Sequence, residues 1–431
     1  MTVTAWTLRY RLREWQLEAA ARWSAAGGRG IVRVVTGAGK TVFGLHIASG
    51  LIRAKNAERI LVIVPSLVLL DQWKVAFQQD LGVDPGDIAC FGTGFPKNQG
   101  SRRVNLAVIN TAREIAPSLV HPEPARWLLV ADECHRYGSG VNSQALKLPY
   151  GYTLGLSATP EREFDEGFER HLEPNLGPVV FEYDYAMARK DEVITPFRLL
   201  NYRIPLMPRE AAAYDEATKK IAIKLEAVRR EFAKKGLAPP SLRTLLTEKI
   251  SPEAVAIRNL LLRRRSVAIN AGLRPAAAVK IALSSRGKKA LIFHERIESA
   301  DKIQQLASAA GLTATVYHSE LSSIRRSNNL MQFRMGVCNV LVTCRALDEG
   351  LDVPEAEVGI IAASTRSTRQ RIQRMGRVLR QSEKKSEASV ATIYATDAEH
   401  EDLVRETAKL RDVALVEWFD LRIGSEARNA R

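Results

Sequence analysis

The hexapeptide Thr36-Gly37-Ala38-Gly39-Lys40-Thr41 brings together the residue types that hold a polyphosphate. Gly37 and Gly39 let backbone N–H groups close around phosphate oxygens. Lys40 offers a cation to the β and γ phosphates, and Thr41 offers a hydroxyl to Mg2+. Thr36 and Ala38 complete the loop. An apolar run at residues 31–35 precedes it and an apolar helical pattern follows. That order of strand, turn and helix is the context a phosphate loop requires. The longer form of the pattern has a glycine where this chain has Val34.

A second chemical pair, Asp132-Glu133, ends the apolar run 128–131. Carboxylates at the C-terminal edge of a strand stand where doubly wound sheets bind ligands. There Asp132 can hold Mg2+ and Glu133 can orient and deprotonate an attacking water. An isolated Asp-Glu pair is usually a solvated turn. This one closes a strand in the same lobe as the Lys40-Thr41 pair, which favours the catalytic role.

These side chains need a rigid frame, and the chain text supplies one. Strand-length apolar runs at 31–35, 60–64, 104–109, 127–131 and 152–157 alternate with helical patterns. Such continuous runs suit central strands of a parallel sheet covered on both faces. The same texture returns at 290–294, 313–317, 340–343, 358–362 and 390–394, so an α/β chain with two parallel-sheet lobes is expected. Between them, residues 208–281 are rich in Ala, Glu, Lys, Arg and Leu, and Pro239-Pro240 and Pro252 divide them into separate helices. Arg258, Arg263, Arg264 and Arg265 in this stretch suit either a phosphate backbone or a solvated helix face. The expected boundaries are 1–203 for the first lobe, 204–280 for the helical insert and 281–400 for the second lobe. A C-terminal helix at 401–411, followed by a polar tail, fills 401–431.

Composition narrows the class. The chain has 431 residues and a net charge of +15, a basic excess that favours a polyanionic partner. Cys90, Cys134, Cys338 and Cys344 have neither zinc-site nor disulfide-framework spacing. Isolated histidines such as His46, His171 and His318 have no metal spacing either. No apolar run is long enough to span a membrane, and no secretory signal opens the text, so a cytoplasmic protein is expected.

Taken in order, these motifs resemble those of superfamily 2 helicases over nearly the whole chain. Residues 132–135, Asp-Glu-Cys-His, look like the DExH box, and the loop matches the short TGxGKT form. Residues 155–160 resemble the SAT motif, in which Ser157 and Thr159 would couple hydrolysis to movement. Residues 12–19 resemble the glutamine motif, which would set Gln16 on adenine. Residues 64–73 look like motif Ia, and 108–112 occupy the place of a further backbone-contacting motif. In the second lobe 290–294, 343–354 and 373–380 are similar to motifs IV, V and VI. The resemblance implies that Gly350 and Asp352 bind nucleotide and that Gln373, Arg377 and Arg380 join Lys40 and Glu133 in catalysis. It implies nucleic-acid contacts at Pro65, Ser66, Gln72, Thr111, Thr343 and Arg345. The closest likeness is to XPB-type DNA repair helicases and their small prokaryotic relatives, carried by the phrases at 347–364 and 369–380 and by the thumb-like insert. Their Arg-Glu-Asp motif is interrupted here: Phe164 separates Arg162 and Glu163 from Asp165. The larger relatives' N-terminal damage-recognition region is not found, which suggests a nearly bare motor.

The resemblance therefore implies two tandem RecA-like lobes with a thumb-like helical insert, ATP and Mg2+ as cofactors, and a monomeric motor on single-stranded, duplex or forked DNA. A nuclease or another repair or defence protein is a possible partner. Three alternatives stay open at this point: a duplex translocase of a restriction or phage-defence complex that does not unwind, an RNA helicase, and a nucleotide-dependent scaffold. Phosphate contacts would make binding salt-dependent and weakly sequence-selective.

Overall fold

The apolar runs of the first half of the chain become strands β1 (Arg29–Val34), β2 (Arg59–Val64), β4 (Val104–Val108), β5 (Trp127–Asp132) and β6 (Tyr152–Ser157). Two further strands, β3 (Ile88–Phe91) and β7 (Val179–Tyr183), extend the sheet at its edges. All pairs are parallel, in the order β3-β4-β2-β5-β6-β1-β7. Every residue of β5 is buried, as is each of Ile60 to Val64 in β2, which is why these segments read as unbroken apolar runs rather than alternating ones. Helices Lys40–Arg53, Leu67–Val75 and Ile109–Val120 cross between the strands. Ala112, Ala116 and Val120 of the last pack against Leu61, Ile63, Leu129 and Ala131 of the sheet.

The computed structural model describes residues 6–96, 100–121, 123–158, 167–234, 252–344, 356–363, 378, 387–408 and 410–423. It divides into two compact units, with the chain passing from one to the other between Ile194 and Thr195.

The second unit holds the other sheet: β8 (Phe197–Arg203), β9 (Ala290–His294), β10 (Ala314–Tyr317), β11 (Val340–Cys344), β12 (Val358–Ile361), β13 (Ala388–Tyr394) and β14 (Ala414–Asp420). Its order is β10-β11-β9-β12-β13-β8-β14, again all parallel. Among the described residues the fold is thus two seven-stranded parallel sheets of RecA-like type, as the alternating texture implied.

Three segments lie differently from the sequence expectation, two through strand pairing and one through core packing. Residues 197–203 were expected at the end of the first lobe, but as β8 they pair with β13 and β14 in the second sheet. The helix Arg274–Ser284 falls mostly within the expected insert, yet its Ala277, Ala278, Ile281 and Ala282 lie in the second unit's core. The C-terminal segment was expected to be a helix and a tail. The helix is Asp397–Ala408, and after it β14 runs along the sheet edge, fixed by an ion pair between Arg198 and Glu417 and by stacking of Tyr202 on Phe419 at 5.1 Å. Its partner strand lies about two hundred residues earlier, so local pattern could not reveal it.

Among the described residues the helical insert shows the helices Pro208–Lys234 and Pro252–Ile269. Each opens on proline, whose missing N–H costs nothing at the first helical position. They bury Val228, Ala254 and Ile257 together with Leu225, Phe232 and Leu261, at helical spacing. Glu210 ties the pair's base, accepting from Gly272 N at 2.8 Å and Met207 N at 2.9 Å. Pro239-Pro240, expected as a breaker, lies outside the described residues.

Candidate active site

In the first unit the C-terminal ends of three adjacent strands, β5, β6 and β1, carry the expected chemistry. Register sets them level: Asp132 of β5 faces Leu156 of β6, and Ser157 of β6 faces Arg33 of β1. β1 runs into the Gly-rich loop. Gly37 and Gly39 adopt φ of 91° and 100°, which a side chain would resist. Gly39 caps the helix Lys40–Arg53, which has no acidic residue in its first turn. The first N–H groups of a helix have no intrahelical acceptor, and with the helix dipole they form an anion site. The Thr36 hydroxyl is buried with no hydrogen-bond partner among the described residues. An open glycine cradle, a helix N-terminus and an unsatisfied hydroxyl together fit a polyphosphate.

Lys40 Nζ lies 3.2 Å from Glu133 Oε1, both side chains being less than a fifth exposed. So the residues expected on the γ-phosphate and on the attacking water meet, and a cation that would face phosphate faces a carboxylate. Glu133 itself has φ 49°, ψ 48°. A left-handed backbone at a non-glycine residue costs roughly 1–2 kcal/mol, and such strain concentrates at functional positions. Tyr137 holds this turn to the sheet: its Oη lies 2.8 Å from the Ile63 carbonyl and 2.7 Å from the Asp132 carbonyl. Burial raises the Tyr137 pKa well above the usual phenol range, so it stays a donor.

Asp132 is buried. Its Oδ1 accepts from Glu133 N at 2.9 Å and its Oδ2 from the indole N–H of Trp73 at 2.8 Å. Burial above all, then the Glu133 charge, pushes its pKa up to about 6, only partly offset by Lys40 and by the Trp73 N–H. The Asp132 carboxylate and the Thr41 hydroxyl, which follows Lys40 in the chain, are hard oxygen donors of the kind that Mg2+ takes alongside nucleotide phosphates. The residues therefore fit the ion. Cys134 plays no comparable part, since burial keeps it as a thiol.

His135 Nδ1 lies 2.9 Å from Ser157 Oγ and 3.4 Å from Glu133 Oε2. This joins residues 133–135 to Ser157, while Thr159 lies outside the described residues. Gln16, expected on adenine, lies beside the phosphate loop. Its amide nitrogen donates to the Gly39 carbonyl at 3.1 Å and its oxygen accepts from Arg13 N at 2.9 Å, so here it fastens the N-terminal helix Glu14–Ala25 to the phosphate loop.

Of the expected nucleic-acid contacts, Ser66 caps the helix Leu67–Val75 through Leu69 N, and Pro65 and Gln72 are half-buried in the same region. Thr111 is half-buried in the first turn of Ile109–Val120. Thr343 is buried in β11, and its hydroxyl has no partner among the described residues. Arg345, Gly350, Asp352, Gln373, Arg377 and Arg380, and the Arg162-Glu163-Phe164-Asp165 segment, lie outside the described residues. Sequence reasoning did not single out Trp73 or Tyr137. For Trp73 the available signal was a tryptophan in a largely apolar stretch, whose N–H must find a partner when buried, whereas Tyr137 stands among polar residues that mark nothing.

Comparison with known proteins fits this geometry. Residues 9–162 match the family described as Type III restriction enzyme, res subunit, and residues 274–382 the Helicase conserved C-terminal domain. Over 383 residues the chain is 30% identical to the DNA 3'-5' translocase XPB2 of Sulfurisphaera tokodaii, covering 87% of this chain and 80% of that protein. The chain belongs to the XPB-type superfamily 2 helicases. It is 27% identical over 403 residues to a putative DNA 3'-5' helicase Rad25 of Haloarcula marismortui, of which it spans 54%. Among solved structures, the Type ISP restriction-modification enzyme LlaBIII bound to DNA matches with a TM-score of 0.65 at 14% identity, covering 97% of this chain and 32% of that one. The Pyrococcus furiosus Hef helicase domain matches at 0.54 and 18%, covering 93% of this chain and 100% of that one. These two likenesses concern the fold alone. As a member of its family the chain is an ATP-hydrolysing, nucleic-acid-binding helicase. No described helix is long and apolar enough to cross a membrane.

Proposed function

We propose that the chain is a motor that hydrolyses ATP with Mg2+ to move along DNA, separating or remodelling its strands. The observation that carries this reading is the Lys40–Glu133 pair at the sheet edge, linked through His135 to Ser157. DNA is favoured over RNA because the relatives that match over most of this chain are named as DNA translocases and helicases.

Each residue then has a task. The glycine loop and Lys40 seat the triphosphate, and entry of the γ-phosphate draws Lys40 away from Glu133. Glu133, released, takes a proton from the attacking water. Thr41 and Asp132 would hold Mg2+, which when bound offsets charge on the β and γ oxygens. His135 passes the state of Glu133 to Ser157, and so to the SAT segment. Arg377 and Arg380 are assigned to the developing phosphoryl charge, with Gln373, Gly350 and Asp352 beside them. Pro65, Ser66, Gln72, Thr111, Thr343 and Arg345 are assigned to the strand's backbone. A monomer suffices for this cycle.

The test follows translocation and unwinding separately. With ATP, displacement of a third strand from a triplex together with opening of a fork supports a helicase. Triplex displacement without fork opening supports the duplex-translocase alternative. Neither activity on DNA, with unwinding of an RNA duplex, would overturn the assignment to DNA.

A further inference from the structure

Trp73 is among the largest fully buried side chains of the protein, and its indole N–H points at a carboxylate rather than at a backbone carbonyl. It belongs to the helix Leu67–Val75, whereas Asp132 ends β5. The 2.8 Å bond occupies Oδ2, while the backbone N–H of Glu133 occupies Oδ1 at 2.9 Å. Two donors on two oxygens fix the rotation of the carboxylate plane. The same indole also touches the other half of the nucleotide site. Gly44, in the helix that begins at Lys40, lies so close that a Cβ there would come within 2.6 Å of the Trp73 ring. Phe77 packs against the indole at 5.9 Å between ring centres. One rigid ring therefore spans the lysine helix, the carboxylate strand and the helix capped by Ser66.

We infer that Trp73 is a positioning residue that sets the Asp132 carboxylate for the metal–nucleotide complex, and that its N–H, beyond its bulk, is required. This rests on the proposed role of Asp132 toward Mg2+. Partners that orient a metal-binding group in this way are typically worth about 10- to 100-fold in metal affinity.

The experiment measures binding of a fluorescent ATP analogue, with Mg2+ and with EDTA, to wild type, Trp73→Phe, Asp132→Asn and the double variant. Phenylalanine keeps an aromatic ring and removes the donor. The expected result is that Trp73→Phe lowers affinity about 10-fold or more in Mg2+, leaves affinity in EDTA unchanged, and adds nothing in the Asp132→Asn background. Equal losses in Mg2+ and EDTA, or an unchanged Mg2+ affinity, would overturn the inference. A wild type that binds no more tightly in Mg2+ than in EDTA would instead overturn the Asp132 reading on which it rests. A second measurement uses folded wild type, with its six tryptophans labelled with nitrogen-15 at the indole. The Trp73 signal, assigned by its displacement in Gly44→Ala, should shift with Mg·ADP and stay in place with ADP in EDTA. No Mg2+-dependent shift counts against the inference.

Discussion

Glu133 adopts a left-handed backbone, sits beside a second carboxylate and pairs with Lys40 and His135. Burial, and secondly the Glu133 charge, raises the pKa of its neighbour Asp132 to about 6. The sign of the linkage follows. A folded-state pKa above the unfolded value favours the protonated folded form, so the contribution to stability is full below the ordinary carboxylate range. It is lost as pH rises through about 6. Nucleotide-free protein should therefore lose on the order of 1 kcal/mol between about pH 5 and pH 7.5 from this group alone. Denaturant melts of wild type and Asp132→Ala at both pH values check this. The wild type should show the extra loss, and parallel pH slopes would refute it. The site is thus less stable empty at neutral pH than its packing alone would make it, in keeping with the trade between stability and function.

At the scale of elements, the parallel sheets were legible because their central strands are buried on both faces and read as unbroken apolar runs, as in β2 and β5. The edge strands were not. β14 mixes Glu417 and Asp420 with Trp418 and Phe419, and only its pairing with β8 makes it a strand. The phosphate loop and the DExH segment were legible because backbone chemistry demands those residues in sequence. The Trp73–Asp132 bond joins positions far apart in the chain and leaves no local mark. Arg274 is a second such case. Fully buried, it donates to the Ala268, Ala362 and Ile393 carbonyls at 2.7–2.8 Å and to Glu399 Oε1 at 2.5 Å. It thereby clamps the ends of β12 and β13 to the helix Asp397–Ala408. Arg274→Ala should destabilise the second unit by about 3–5 kcal/mol, because it strands a partly buried carboxylate and the carbonyls. Unfolding followed by hydrogen exchange should locate the loss in the second unit alone, and a loss shared equally by both units would contradict the clamp.

At the scale of the whole molecule, two RecA-like units, each with its own core, carry the motifs of one ATPase divided between them in sequence. The first unit's share is a phosphate cradle, a carboxylate pair and a histidine link to Ser157. The basic excess of +15 suits a polyanionic track. If a nucleic-acid strand governs hydrolysis at this site, steady-state ATP hydrolysis will depend on the polymer supplied: none, single-stranded DNA, duplex DNA, forked DNA or RNA, with Glu133→Gln as the control. Strong stimulation by DNA is expected, with a fall of at least about 100-fold in Glu133→Gln and ATP binding retained. Hydrolysis that no polymer stimulates, or stimulation that survives in Glu133→Gln, would contradict it.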